Sequence, residues 1–197
     1  MAEEARLEPA RSGLVPVSAG WFVVNVRDSA WIANDAFGEE CVFEGGTSAL
    51  RENPELEGHR FPDIGLNLRV LQPSQASGLY HAESNQEDFL VLAGECLAIV
   101  QGEERRLRAW DFLHCPPGTE HIIVGAGDAP SVILMTGRRS GDMEIRYPRS
   151  ESALRHGAGV ESDTGNPQEA YEPFTHWQPR RPATWDGLPW ALDLDDD

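Results

Sequence analysis

The sequence predicts an all-β fold: an antiparallel sandwich or barrel with strands before it and an extended aromatic, proline-rich arm after it. Three observations point there. Between Gly65 and Thr136 the chain runs in strand-like stretches of about five to eight residues rich in Val, Ile, Leu and aromatics. Glycine-bearing turns of hairpin type, such as Ala93-Gly94-Glu95 and Gln101-Gly102-Glu103, join them. No long segment has the 3.6-residue period that the crossover helices of a parallel α/β fold require.

Taken in order, residues 1–20 are rich in Glu, Ala, Pro and Ser without periodicity and read as a flexible N-terminal segment. The β-branched and aromatic runs 21–26 and 41–43 read as strands preceding the core. Residues 45–62 are charged and carry Gly, Asn and Pro, which reads as a loop with room for a short helical turn. The core strands are expected at 66–71, 79–83, 89–93, 96–101, 105–108, 112–115, 121–124 and 132–135, and Phe89, Val91 and Ile99 are expected to pack its interior. The barrel is thus expected over 21–137 and a C-terminal extension over 138–197, with a short helix at 150–156. In that extension Tyr171, Phe174, Trp177, Trp185 and Trp190 are interspersed with Pro173, Pro179, Pro182 and Pro189. Proline blocks both helix and central strand, so the segment reads as an extended arm. Apolar area is worth roughly 25 cal/mol per Å² on burial, so an arm this aromatic is expected to pack on its own barrel or across a partner subunit.

The 197 residues suit one domain with appendages. With 16 Lys and Arg against 33 Asp and Glu the net charge is −17, and no basic cluster stands out, which disfavours nucleic acid and anionic membranes as partners. Part of that charge is a closing acidic tail, Asp193, Asp195, Asp196 and Asp197. Cys41, Cys96 and Cys115 are odd in number and far apart, which argues against a disulfide framework or a structural zinc knot. Neither a signal-type h-region nor about 18 successive apolar residues is found, so the expected setting is the cytoplasm.

One stretch concentrates metal-ligating side chains. In Tyr80-His81-Ala82-Glu83-Ser84-Asn85-Gln86-Glu87, His81 and Glu83 leave the same face of a strand, and Glu87 follows a turn. Tyr80 points to the opposite face. Further on, Pro116-Pro117-Gly118-Thr119-Glu120-His121 delivers His121 through a rigid turn onto the next strand. Inward side chains of neighbouring strands meet near a barrel axis, where nitrogen and oxygen donors can share a cation. Two buried carboxylates without one would repel each other. His114 is read as structural, His59, His156 and His176 as exposed loop residues, and Cys115 as a small buried hydrophobe.

These residues resemble the two motifs of the cupin superfamily. His81-x-Glu83, three residues, Glu87, six residues and Gly94 follow the first motif; Pro116-x-Gly118, two residues, His121, three residues and Gly125 follow the second. The sequence departs from the pattern at Gln75 and Trp110, where the family carries Gly, at Glu83, where it carries a second His, and at Gly125, where it carries Asn. The resemblance, over roughly 65–137, implies a double-stranded β-helix, or jelly-roll, barrel and one divalent metal ion per chain, Fe, Mn, Ni or Zn, on His81, Glu83, Glu87 and His121. If all four bind, two imidazoles meet two carboxylates; if Glu83 turns away, two histidines and one carboxylate remain, a set suited to non-haem Fe(II). A cupin that kept the fold without the metal stays open. The expected functions are a metalloenzyme acting on a small molecule by dioxygenase or isomerase-type chemistry, or a non-catalytic module that binds a small-molecule ligand. Extensions at both ends suggest a homodimer.

Overall fold

The structure is a computed structural model and describes residues 3–44, 53–139 and 143–182. Fourteen strands are found among these residues: β1 (Leu7–Pro9), β2 (Leu14–Pro16), β3 (Ile32–Asn34), β4 (Gly38–Phe43), β5 (Ile64–Leu71), β6 (Ala82–Glu83), β7 (Glu87–Ala93), β8 (Glu95–Val100), β9 (Glu103–Arg108), β10 (Phe112–Cys115), β11 (His121–Ala126), β12 (Ser131–Arg138), β13 (Ile145–Arg146) and β14 (Gln178–Pro179). A 3-10 helix spans Pro54–His59, and two short helices follow the barrel, α1 (Glu151–Arg155) and α2 (Pro167–Tyr171).

Seven strands form one sheet in the order β10-β7-β12-β5-β4-β3-β14, and three form a second in the order β11-β8-β9. All pairings are antiparallel. Alternation along each strand decides what lies inside. Leu71, Phe89, Val91 and Ile133 from the large sheet meet Cys96 and Ile123 from the small one in a shared buried cluster that also takes in Cys115. Each large aliphatic or aromatic side chain withdrawn from water there is worth about 1.5–3 kcal/mol. The edge strand β9 is charged, with Glu103, Glu104, Arg105, Arg106 and Arg108, which discourages pairing with another chain.

Ile99, expected in the interior, lies on the other face of the small sheet. There Tyr80, Ile99, Ile122 and Val124 are covered by Ala153 of α1 and by Ala158. Ser150 caps α1 by accepting from the Ala153 amide at 3.4 Å, in accord with the helix expected at 150–156. The outer face of the large sheet is covered by Phe22, Val24 and Val26, which pack on Trp31, Cys41, Phe43 and Val70. Residues 21–26 alternate as a strand would, yet in this segment only Trp21 makes a ladder contact, an isolated bridge to Glu4. The segment lies across a sheet face and is held by side chains instead of pairing at an edge. Residues 7–16 form a β1–β2 hairpin that buries Val15 against Ala30, Ile32, Val42 and Leu56.

The strand expected at 79–83 shrinks to β6 because the C-terminal extension takes up its backbone: the Leu79 amide donates to Tyr171 Oη at 3.1 Å and the Tyr80 amide to the Ala158 carbonyl at 2.7 Å. The arm adds α2, β14 and an aromatic cluster in which Tyr171 and Phe174 pack on Phe37. Its described part therefore docks on its own barrel, while Trp185, Trp190 and the acidic tail lie outside the described residues. His59, expected to be exposed, is fully buried: its Nδ1 donates to the Val42 carbonyl at 3.0 Å and its ring packs on Phe43. His156 is half-buried beside Glu104, and His176 is exposed as expected. Among the described residues no helix is long and apolar enough to cross a membrane.

Candidate metal centre

Three of the four residues singled out by sequence converge. His81 and His121 are joined by reciprocal backbone hydrogen bonds, His121 N–H to the His81 carbonyl at 2.8 Å and His81 N–H to the His121 carbonyl at 3.1 Å. Directly opposed residues present side chains to the same face, and the two rings lie 4.9 Å apart. Glu87 opens β7, whose alternation turns Glu87, Phe89 and Val91 inward. One donor atom from each of His81, Glu87 and His121 lies within 4.8 Å of the other two.

The orientation of both rings is set from behind. His81 Nδ1 lies 2.7 Å from the Leu79 carbonyl and His121 Nδ1 lies 3.0 Å from the Thr119 carbonyl. A carbonyl can accept but not donate, so each Nδ1 carries the proton and each Nε2 faces inward. Those nitrogens approach Glu87 Oε2 to 3.6 and 3.3 Å. Yet Glu87 Oε2 and His121 Nε2 are buried with no hydrogen-bond partner among the described residues. Buried polar atoms that converge without bonding one another fit a group that would sit between them and accept electron pairs from all three.

The electrostatics fit the same group. Burial pushes the His81 imidazole down, but the contact with Glu87 outweighs it and holds the ring up at about 9. His121 is likewise pushed down by burial and raised to about 9, by the Cys115 thiol and Glu87. Burial pushes Glu87 up, and the two imidazoles overcome this and hold it well below the usual carboxylate range. The pocket thus draws positive charge to its centre, as protons or as a cation.

Glu83 stands beside this group and not in it. Its Oε2 lies 3.6 Å from Arg139 Nη1 and has no hydrogen-bond partner among the described residues. Burial and the nearby Glu87 raise its carboxyl to about 7, against the pull of His81 and Arg139. His114, read as structural, is exposed and stands outside the group, with its Nδ1 2.6 Å from Asp88 Oδ1. Cys115 is buried, as expected, and sits beside His121. Tyr80 turns away from the site, donating to Glu120 and accepting from the Gly102 amide.

Two site residues were not legible as such. β13 pairs with β6, Ile145 opposite Glu83 and Arg146 opposite Ala82, and one step on Tyr147 comes beside His81, with ring centroids 6.0 Å apart. Tyr147 is buried, and burial first, then Tyr171, Glu83 and Glu87, raise its phenol, so it is a neutral donor at the wall of the pocket. Arg139 is the other. The short alternation Ile145-Arg146-Tyr147 was the available signal for the first; nothing local marks the second. A cleft of about 430 Å³ is lined in part by Ser84, Gln86, Asp88 and Pro117, and by none of His81, Glu87 and His121.

A family profile described as Cupin domain matches residues 67–137. No curated protein matches the chain. Among solved structures, a provisionally named sugar phosphate isomerase from Acidithiobacillus ferrooxidans ATCC 23270 is similar at 24% identity and a TM-score of 0.42, over 46% of this chain and 58% of that one. A sugar phosphate isomerase from a cupin superfamily, from Silicibacter pomeroyi DSS-3, is similar at 23% identity and a TM-score of 0.42, over 53% of this chain and 74% of that one. A Cupin 2 conserved barrel domain protein from Salinispora arenicola CNS-205 is similar at 23% identity and a TM-score of 0.36, over 39% of this chain and 63% of that one. At these identities and TM-scores the likeness carries no activity over to this chain.

Proposed function

We propose, on the premise that residues 67–137 are a cupin domain and that the chain is a member of the cupin superfamily, that this protein is a metalloenzyme acting on a small molecule at a mononuclear centre held by His81, Glu87 and His121. The observation that carries the proposal is the inward aim of two Nδ1-protonated imidazoles at one buried carboxylate oxygen that has no hydrogen-bond partner among the described residues. Two imidazoles, neutral once an ion displaces their Nε2 protons, and one carboxylate suit Fe, Mn, Ni or Zn better than a thiophilic ion.

A bound divalent ion would supply Lewis-acid polarisation of a substrate oxygen or an anchor for O₂. The chain's own residues supply the rest. Three protein donors leave positions for a small ligand. Glu83, at about 7, can give or take a proton near neutrality without leaving its place beside the centre. The neutral Tyr147 phenol can donate a hydrogen bond, and Phe89, edge-on to His121 at 5.1 Å, helps to exclude water. Dioxygenase and isomerase-type reactions both fit these parts.

Metal analysis of protein purified without chelator tests the reading. About one divalent transition ion per chain is expected, with none in His81→Ala/His121→Ala. Sub-stoichiometric metal that the double substitution leaves unchanged would refute it. Ligand affinity unaffected by stripping the metal would favour a non-catalytic binding module.

A further inference from the structure

Arg139 directly follows β12, beyond the residues matched by the cupin profile. Its guanidinium is pinned from one side: Nε and Nη2 donate to Glu44 Oε2 at 3.0 and 2.5 Å, and the same oxygen accepts from Asn67 Nδ2 at 2.9 Å. Glu44 is 2% exposed and cannot turn to solvent. Two glycines make the room. Gly65 and Gly137 oppose each other across β5 and β12. A Cβ on Gly65 would stand 2.8 Å from Arg139 Nε and 2.3 Å from Glu44 Oε2, and a Cβ on Gly137 would stand 2.7 Å from Arg139 Nη1. Any side chain at either position collides with this arrangement. From the cradle, Nη1 faces Glu83 Oε2 at 3.6 Å.

Glu83 leaves the same strand face as His81, so a cation bound there and the Arg139 guanidinium compete for one carboxylate. We propose that Arg139 is a positioning residue that keeps Glu83 out of the ligand set. With Arg139 seated, the centre uses His81, Glu87 and His121 and leaves its other positions to a small ligand; with Arg139 displaced, Glu83 becomes a fourth donor. This inference rests on the metal reading above and adds to it what fixes the number of ligands.

The test uses the full chain and Co²⁺ as the probe, reading affinity by titration and coordination by the visible absorption of the bound ion. Arg139→Gln/Glu44→Gln removes both charges together, so Glu44 is not left as a buried, unpaired charge while Glu83 is released. It is compared with the wild type, and each is measured with and without the further substitution Glu83→Gln. The expected result is a changed spectrum and about tenfold tighter Co²⁺ in the double variant, at the lower end of outer-shell effects on metal sites, both abolished by Glu83→Gln. Gly137→Ala displaces the guanidinium without altering any charge and is expected to shift the spectrum in the same direction, an independent check should the double variant fold poorly. An unchanged spectrum in both variants, or a change that persists when Glu83→Gln is added, overturns the role of Arg139. A wild type that takes up no Co²⁺ overturns the metal site itself, a distinguishable result.

Discussion

Glu87, a buried carboxylate flanked by two imidazole nitrogens at 3.3 and 3.6 Å, is a point of attraction for a cation. Glu87→Gln keeps the shape and removes the charge. The variant is expected to keep its far-ultraviolet circular dichroism and to lose at least about 100-fold in Co²⁺ affinity, since even outer-shell partners of a metal are worth about 10–100-fold. Affinity within about threefold of the wild type would exclude Glu87 as a ligand. The three candidate ligands were legible because strand alternation and a rigid Pro-Pro-Gly turn fix where His81, Glu87 and His121 point. The position of Glu83 was not, because it depends on Arg139, which a distant part of the chain brings alongside. Trp110 illustrates a departure from the family pattern that the backbone explains: it adopts φ +74, a region where glycine is at ease, and its 75% exposed side chain frees the position from any packing demand. Gly125 stands where a Cβ would come 2.2 Å from the Gln72 carbonyl oxygen, so close backbone approach governs that site.

Among the elements, the 3-10 helix Pro54–His59 makes a pH-dependent contribution through its last residue. Burial holds the His59 imidazole down at about 4, although its bond to the Val42 carbonyl works the other way. In the unfolded chain the same ring titrates near the ordinary value of about 6.5. The depressed folded value means that the unfolded state binds the extra proton between those limits. Stability from this group is therefore fully present above about 6.5 and is lost as pH falls toward 4, by about 3 kcal/mol at most. Urea midpoints of the wild type and His59→Asn, measured at about pH 7.5 and about pH 4.5, on either side of that loss, isolate it: the wild type is expected to lose more than the variant. Equal losses would show that His59 carries no such linkage. The core strands were legible because turns punctuate them and their alternation is regular. Residues 21–26 share the alternation and were misread, because the pattern records which side chains face the protein and not whether the backbone has a ladder partner. His59 was misread for a related reason: loop-like composition does not reveal that the segment folds back onto β4.

Across the whole molecule, the C-terminal extension steadies the centre from outside the cupin domain. Tyr171 Oη accepts from the buried Leu79 amide at 3.1 Å, and the Leu79 carbonyl in turn accepts from His81 Nδ1 at 2.7 Å. Tyr171→Phe leaves that amide unpaired at a cost of about 1–3 kcal/mol. It is also expected to weaken Co²⁺ binding by about tenfold, as for other groups that orient a ligating histidine. Unchanged denaturation and unchanged affinity together would uncouple the arm from the site. This coupling was legible only as far as the arm's aromatic composition, which demands burial without naming the surface that provides it.

Anomalous X-ray scattering from crystals grown with Co²⁺, recorded on both sides of the cobalt edge, tests the central claim most directly. The account predicts one peak bonded at about 2.0–2.2 Å to Nε2 of both histidines and to a carboxylate oxygen of Glu87, with the Glu83 carboxylate remaining on Arg139. A peak elsewhere, or imidazoles at positions 81 and 121 that share no ion, would contradict it.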